Sequence, residues 1–225
     1  MLQYLHVSGP RGRLWVLNAF NLEIKPGETV HVTGPSGSGK SLLVRMALAS
    51  AAPASGTVFV NGINPHKTSV AGRQGLRRVV SAVLDDEPEL DLPAEVWVAL
   101  GLACAGRSWP ASVGDARDAL ARFGLGGVAT EPFRRLPRGT RYALALVRAL
   151  IRKPHLILVD WAADDGAGIP ESLRSDFASF AANAGAVLMT GEPGRNAAPP
   201  GGRVERLAGP LGSAGAAAAG TGGDS

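Results

Sequence analysis

Eight consecutive residues, Gly34-Pro35-Ser36-Gly37-Ser38-Gly39-Lys40-Ser41, satisfy the pattern GxxxxGK[ST] at every position. Glycines let a backbone wrap tightly enough for its N–H groups to converge on phosphate oxygens. A lysine after the last glycine reaches the terminal phosphates, and the following hydroxyl is placed to ligate a divalent cation. Leu42 continues the loop into the helix whose positive end faces the same anion. The expected ligand is a nucleoside triphosphate, ATP with Mg²⁺. Such a site needs a second oxygen ligand for the metal, normally an Asp closing a buried strand. Leu156-Ile157-Leu158-Val159-Asp160 supplies one, 120 residues after Lys40.

The elements that must hold these residues are written in the hydrophobic pattern. Leu2–Val7 and Leu14–Ile24 read as strands, and Pro26-Gly27 turns the chain into a third at Thr29–Thr33. A helix over Lys40–Ser50 buries Leu42, Leu43, Met46 and Ala47. Gly56–Val60 is a strand closed by Asn61-Gly62, a hairpin signal, and Arg78–Leu84 is another. From about 88 to 138 the pattern turns helical, with helices at Ala94–Ala105 and Val113–Phe123. A third helix, Thr140–Arg152, buries Leu144, Val147, Arg148 and Ile151 and leads into the strand ending at Asp160. A helix at Pro170–Ala184 and a strand at Ala186–Thr190 follow. Strands alternating with helices give an α/β fold: a P-loop NTPase core with an antiparallel β subdomain at the N-terminus and an inserted helical subdomain. The folded domain spans 1–207, and the Gly/Ala-rich stretch 208–225 reads as a disordered tail.

Composition narrows the function classes. The net charge of +4 is modest and its arginines are scattered, which argues against nucleic acid as a partner. Cys104 is the single cysteine and sits in an apolar stretch, so a buried, inert thiol is expected and no intrachain disulfide can form. The longest apolar run, Val96 to Ala105, is too short to span a bilayer. The N-terminus lacks the pattern of a signal peptide, so a cytoplasmic location is expected.

Longer segments carry a family resemblance. LNAFNLEIKPGETVHVTGPSGSGKSLL (Leu17–Leu43), ASGTVFVNG (Ala54–Gly62) and LPRGTRYALALVRALIRKPHLILVD (Leu136–Asp160) resemble the ATP-binding subunits of ABC transporters. The resemblance implies Mg-ATP binding by Gly34 through Leu42, with Ser41 and Asp160 on the metal. It also implies a membrane permease and a second ATP-binding chain, in a homo- or heterodimer, as partners. The protein would then lie peripherally at the inner face of the cell membrane.

The chain departs from that family at the positions that do chemistry. The family's general-base Glu falls on Trp161, which can accept no proton. Its switch His falls on Gly191, and its Gln before the helical subdomain falls on Asp85, which keeps an oxygen for the metal. The LSGGQ signature survives only at Leu136 and Gly139, with Pro137, Arg138 and Thr140 in the other places. An adenine-stacking aromatic is missing from Ser8–Arg13, and Tyr4 and Trp15 are the nearest candidates. Losing a general base costs about 10²–10⁴ in rate, so weak or absent hydrolysis is expected, and enzymatic activity stays an open question. The alternatives are a working transport ATPase with displaced catalytic groups, for which Asp164 and Asp165 are the nearest spare carboxylates, and a P-loop kinase.

Overall fold

The computed structural model describes residues 1–11, 14–85, 90–160, 169–191 and 202–209. Trp161, Asp164 and Asp165, and the stretch 210–225, lie outside the described residues.

Two sheets share the chain. The smaller is antiparallel, with β1 (Leu2–Arg11) between β2 (Leu14–Ile24) and β4 (Ser55–Val60). The larger is parallel, in the order β5 (Val80–Leu84), β6 (Leu156–Asp160), β7 (Ala186–Gly191), β3 (Thr29–Thr33), β8 (Arg203–Arg206). The helices are α1 (Lys40–Ala47), α2 (Val70–Val79), α3 (Ala94–Ala103), α4 (Trp109–Arg122), α5 (Arg138–Ile151) and α6 (Glu171–Ala182). This is the α/β core with an antiparallel subdomain and a helical insert expected from the sequence pattern.

Strand β6 explains the layering. Its residues are apolar without alternation, as a parallel strand covered on both faces must be. Leu156 and Leu158 join a core with α1 and the antiparallel sheet. Ile157 and Val159 join the other core, with α3, α4 and α5. All four are at most 1% exposed, and each fully buried Leu or Ile contributes about 1.5–3 kcal/mol. The covered strand thus delivers Asp160 to the open end of the sheet at a fixed height.

The helical layer is bound by aromatic and cationic contacts. Trp97 of α3 stacks on Phe133 with centroids 4.0 Å apart, and the Arg148 guanidinium of α5 lies 4.0 Å from the Trp97 ring. At the α3–α5 crossing only glycine fits, since a Cβ at Gly101 would come within 2.6 Å of Arg148 Cγ.

Several expectations are corrected. Residues 70–79 form α2, which the sequence pattern did not indicate, because only Leu76 is buried in a segment with two glycines and three arginines. Asn61 and Gly62 turn with positive φ (50° and 76°), but the return is a single bridge, Val60–Ile63, because β4 spends its ladder on β1. Helix α1 buries Val44 rather than Leu42, which is only half-buried. Helix α5 is buried along almost all of 142–149, while Arg148 and Ile151 are only half-buried. Cys104 is exposed, because it caps α3 where that helix leaves its core.

His31 is an unusual core residue. It sits in β3 between Met189 of β7 and Val204 of β8, is 1% exposed, and its Nε2 has no partner among the described residues. Burial holds its pKa below the ordinary value of 6.5, because charging an imidazole there would strand a cation. A folded pKa below the unfolded one means stability is complete above about pH 6.5 and is lost as pH falls through the folded value. The carboxyls of Asp91 and Glu95, held low by hydrogen bonds from Arg134 and Arg117, titrate beneath that window. The melting temperature should therefore drop between about pH 7 and pH 5 in the wild type. His31→Val should flatten that drop, and identical pH profiles for the two proteins would refute the assignment.

Candidate functional site

The loop between β3 and α1 is built by glycine conformations that other residues resist. Gly37 and Gly39 have φ of 81° and 100°, in the left-handed region that costs other residues about 1–2 kcal/mol. A Cβ on Gly39 would also come within 3.0 Å of Val16 Cγ2, so β2 presses directly on the loop. Gly34 is equally crowded, since a Cβ there would meet Ser38 Oγ at 2.8 Å and the Leu207 carbonyl at 2.9 Å.

Within this cradle the polar groups face inward. Lys40 Nζ donates to the carbonyls of Gly34 (2.7 Å) and Pro35 (2.9 Å), folding its ammonium back across the loop. Ser38 is fully buried and its Oγ has no partner among the described residues. Ser36 and Ser41 are exposed, and Leu42 turns away to pack near Gly9. A loop with an inward ammonium, an unpartnered buried hydroxyl and two glycines in left-handed conformations suits a bound polyphosphate.

Asp160 closes the opposite side. Ser41 Oγ donates to Asp160 Oδ1 at 3.1 Å, and Thr190 Oγ1 donates to the same oxygen at 2.6 Å. Strand pairing sets this meeting, because Asp160 and Thr190 are register partners between β6 and β7. The hydroxyl of Ser41 and the carboxylate of Asp160 are thus adjacent oxygen ligands of the kind Mg²⁺ takes. Asp85 follows β5 with its amide donating to the Asp160 carbonyl (2.9 Å), yet its carboxylate accepts from Arg138 Nη2. Gly191 ends β7, buried and opposite Thr33, with no side chain to offer.

Two contributors were not read from the sequence. Thr190 orients Asp160, a role visible only once β6 and β7 pair. Leu207 braces the loop, its amide donating to the Thr33 carbonyl at 2.7 Å. The alternation Arg203-Val204-Glu205-Arg206-Leu207 carries a weak strand signal for β8. Arg203 pins that edge strand through Glu28 (2.8 Å).

The aromatic candidates separate. Tyr4 is fully buried and its hydroxyl donates to the Leu43 carbonyl at 2.8 Å, so it cannot stack on a base. Burial drives its phenol pKa upward. Trp15 stays half-buried opposite Pro10 in the β1–β2 ribbon, one residue before the valine that abuts Gly39.

Comparison with known proteins agrees across the chain. The family model described as ABC transporter matches residues 17–163. The leukotoxin translocation ATP-binding protein of Mannheimia glucosida is 32% identical over 150 residues, covering 64% of this chain and 21% of that protein. A lipoprotein-releasing system ATP-binding protein of Rhodopirellula baltica is 31% identical over 151 residues, 65% of each chain. The chain therefore spans about a fifth of the first relative's length and just under two thirds of the second's. Among solved structures, a dimeric ATP-binding cassette in a post-hydrolysis state bound to ADP and Pi superposes with a TM-score of 0.77. It is 26% identical, and the superposition covers 92% of this chain and 94% of that one.

The crowding at Gly39 yields a direct test. Gly39→Ala should lower the unfolding free energy by about 1–2 kcal/mol, because the left-handed φ and the Val16 contact both resist a Cβ. Gly62→Ala has positive φ but nothing within 4 Å of its Cβ, so it should cost less. Equal losses in chemical denaturation would refute the close approach of β2.

Proposed function

Because this chain belongs to the ABC transporter ATP-binding family, we propose that it binds Mg-ATP at Gly34–Leu42 and works beneath a membrane permease, paired with a second ATP-binding chain, with hydrolysis weak or absent. The observation that carries the binding half is the complete loop of Gly34–Ser41 facing Asp160, with Ser41 and Thr190 hydroxyls on one carboxylate oxygen. Lys40 would leave its own loop carbonyls for the phosphates, and Ser38 would gain a partner. Ser41 and Asp160 would hold the metal, which supplies charge neutralisation between the phosphates. Trp15, one residue before the valine that abuts Gly39, is the remaining aromatic candidate to lie against the base.

The partner half rests on kinship. The leukotoxin and lipoprotein-releasing relatives are named for translocation and release, and the structural neighbour is a dimeric cassette. Among the described residues no helix is long and apolar enough to cross a membrane, which suits a chain that reaches the bilayer through a permease.

The hydrolysis half rests on residue types. Position 161 is Trp and position 191 is Gly, neither of which can take or relay a proton. The surface offered to a second chain begins Pro137-Arg138 in place of Ser-Gly, so a paired site would lack elements on both sides.

Calorimetric titration of Mg-ATP tests the site. Lys40→Ala removes a charge-assisted contact of about 1.5–3 kcal/mol, which corresponds to roughly 10- to 150-fold weaker affinity. Unchanged affinity in a folded variant would sink the assignment.

Phosphate release under saturating Mg-ATP tests the second claim. Wild type should turn over far below about 1 s⁻¹, the lower end of ordinary enzyme rates. Trp161→Glu should not restore turnover, because groups that act as a unit are strongly non-additive. Ordinary turnover from either protein, alone or with its permease, would overturn it.

A further inference from the structure

We propose that Asp85 and Arg138 form a positioning tie that fixes the first turn of α5 against the end of the parallel sheet. The case begins with an electrostatic problem in the sequence of α5. Its N-cap is Pro137, which offers no side-chain acceptor, and no acidic residue stands in its first turn. Arg138 and Arg141 place two cations at the end of the helix where the dipole is already positive. A carboxylate in the first turn would offset that arrangement, and α5 has none there.

The carboxylate arrives from 53 residues away. Arg138 Nη2 donates to Asp85 Oδ2 in a direct ion pair. Asp85 can serve because its backbone is rigid: its amide donates to the Asp160 carbonyl at 2.9 Å, immediately after the Leu84–Asp160 register pair. The anchor therefore stands on the strand end that carries the site, and Arg138 stands on the helical layer. Helix α5 itself runs back into β6 through residues 152–155. The pair closes a ring through Asp160, Asp85, Arg138, α5 and β6, and the helical layer cannot turn against the sheet without breaking it.

Geometry, not stability, is the contribution. The two side chains are 38% and 37% exposed, and an exposed pair adds little to global stability and is screened by salt. Its effect is on where α5 begins, and so on how Arg138, Gly139 and Thr140 face the solvent. On the functional reading above, that is the surface a second chain meets. The tie itself needs no nucleotide and no partner.

Hydrogen–deuterium exchange of the free protein tests the tie. Asp85→Asn and Arg138→Gln should each raise exchange of the amides at 141–144, the first hydrogen-bonded ones of α5, several-fold, with β6 amides and the melting temperature nearly unchanged. The double variant should exchange no faster than Arg138→Gln alone, as expected when Asp85 acts through Arg138. Asp85→Glu, which keeps the charge, should stay near wild type. Raising salt to about 0.5 M should loosen the wild type toward the singles and leave the singles unmoved. Additive effects, wild-type exchange in both singles, or a general rise that includes β6 would each overturn the proposal. Because no ATP is present, failure here leaves the nucleotide reading standing, and failure of ATP to bind leaves the tie standing.

Discussion

A single carboxylate oxygen organises the molecule. Asp160 Oδ1 receives hydroxyl hydrogens from Ser41 at 3.1 Å and Thr190 at 2.6 Å, so α1 and β7 are both referenced to the end of β6. That oxygen can be held steady only because the strand behind it is immobile. Leu156, Ile157, Leu158 and Val159 alternate into two separate cores, and neither core could shift without exposing the other's strand face. Close packing on both sides converts hydrophobic burial into the fixed position of one charged group.

The same constraint accounts for what the sequence disclosed and what it hid. A strand buried on both faces leaves an unbroken apolar run, and a loop that needs φ near 100° leaves glycines, so β6 and the Gly34–Ser41 loop were legible from local pattern. Helix α2 was not, since a segment that buries only Leu76 has no periodicity to detect. Strand β8 was missed because four residues at a sheet edge carry little pattern, though Leu207 beyond it braces the loop. The Thr190–Asp160 and Asp85–Arg138 pairings were hidden for a different reason. Each joins residues at least 30 positions apart, and only strand order reveals such pairings. Cys104 was misjudged because apolar neighbours in sequence do not bury a residue at the end of a helix.

Helix α5 then joins the two ends of the molecule. Its middle, Tyr142 to Ala149, is buried, with Ser81 Oγ donating to the Ala149 carbonyl at 3.2 Å and Arg148 seated on Trp97. Its first residue is pinned to the nucleotide end of the sheet by Asp85, and Arg152, just past its last turn, reaches the Arg77 carbonyl of α2 at the opposite end. A helix that is buried centrally and tethered at both tips moves as a rod.

The balance between these parts decides which motions the chain permits. Breaking β6 out of either core would expose several leucine- or isoleucine-sized groups, at about 1.5–3 kcal/mol apiece. The polar contacts that orient the helical layer are half-exposed and individually weak. Separating the Asp85–Arg138 pair therefore costs far less than moving β6. Asp85 and Arg138 put opposite charges on the sheet end and on the helical layer that share the core around Ile157 and Val159.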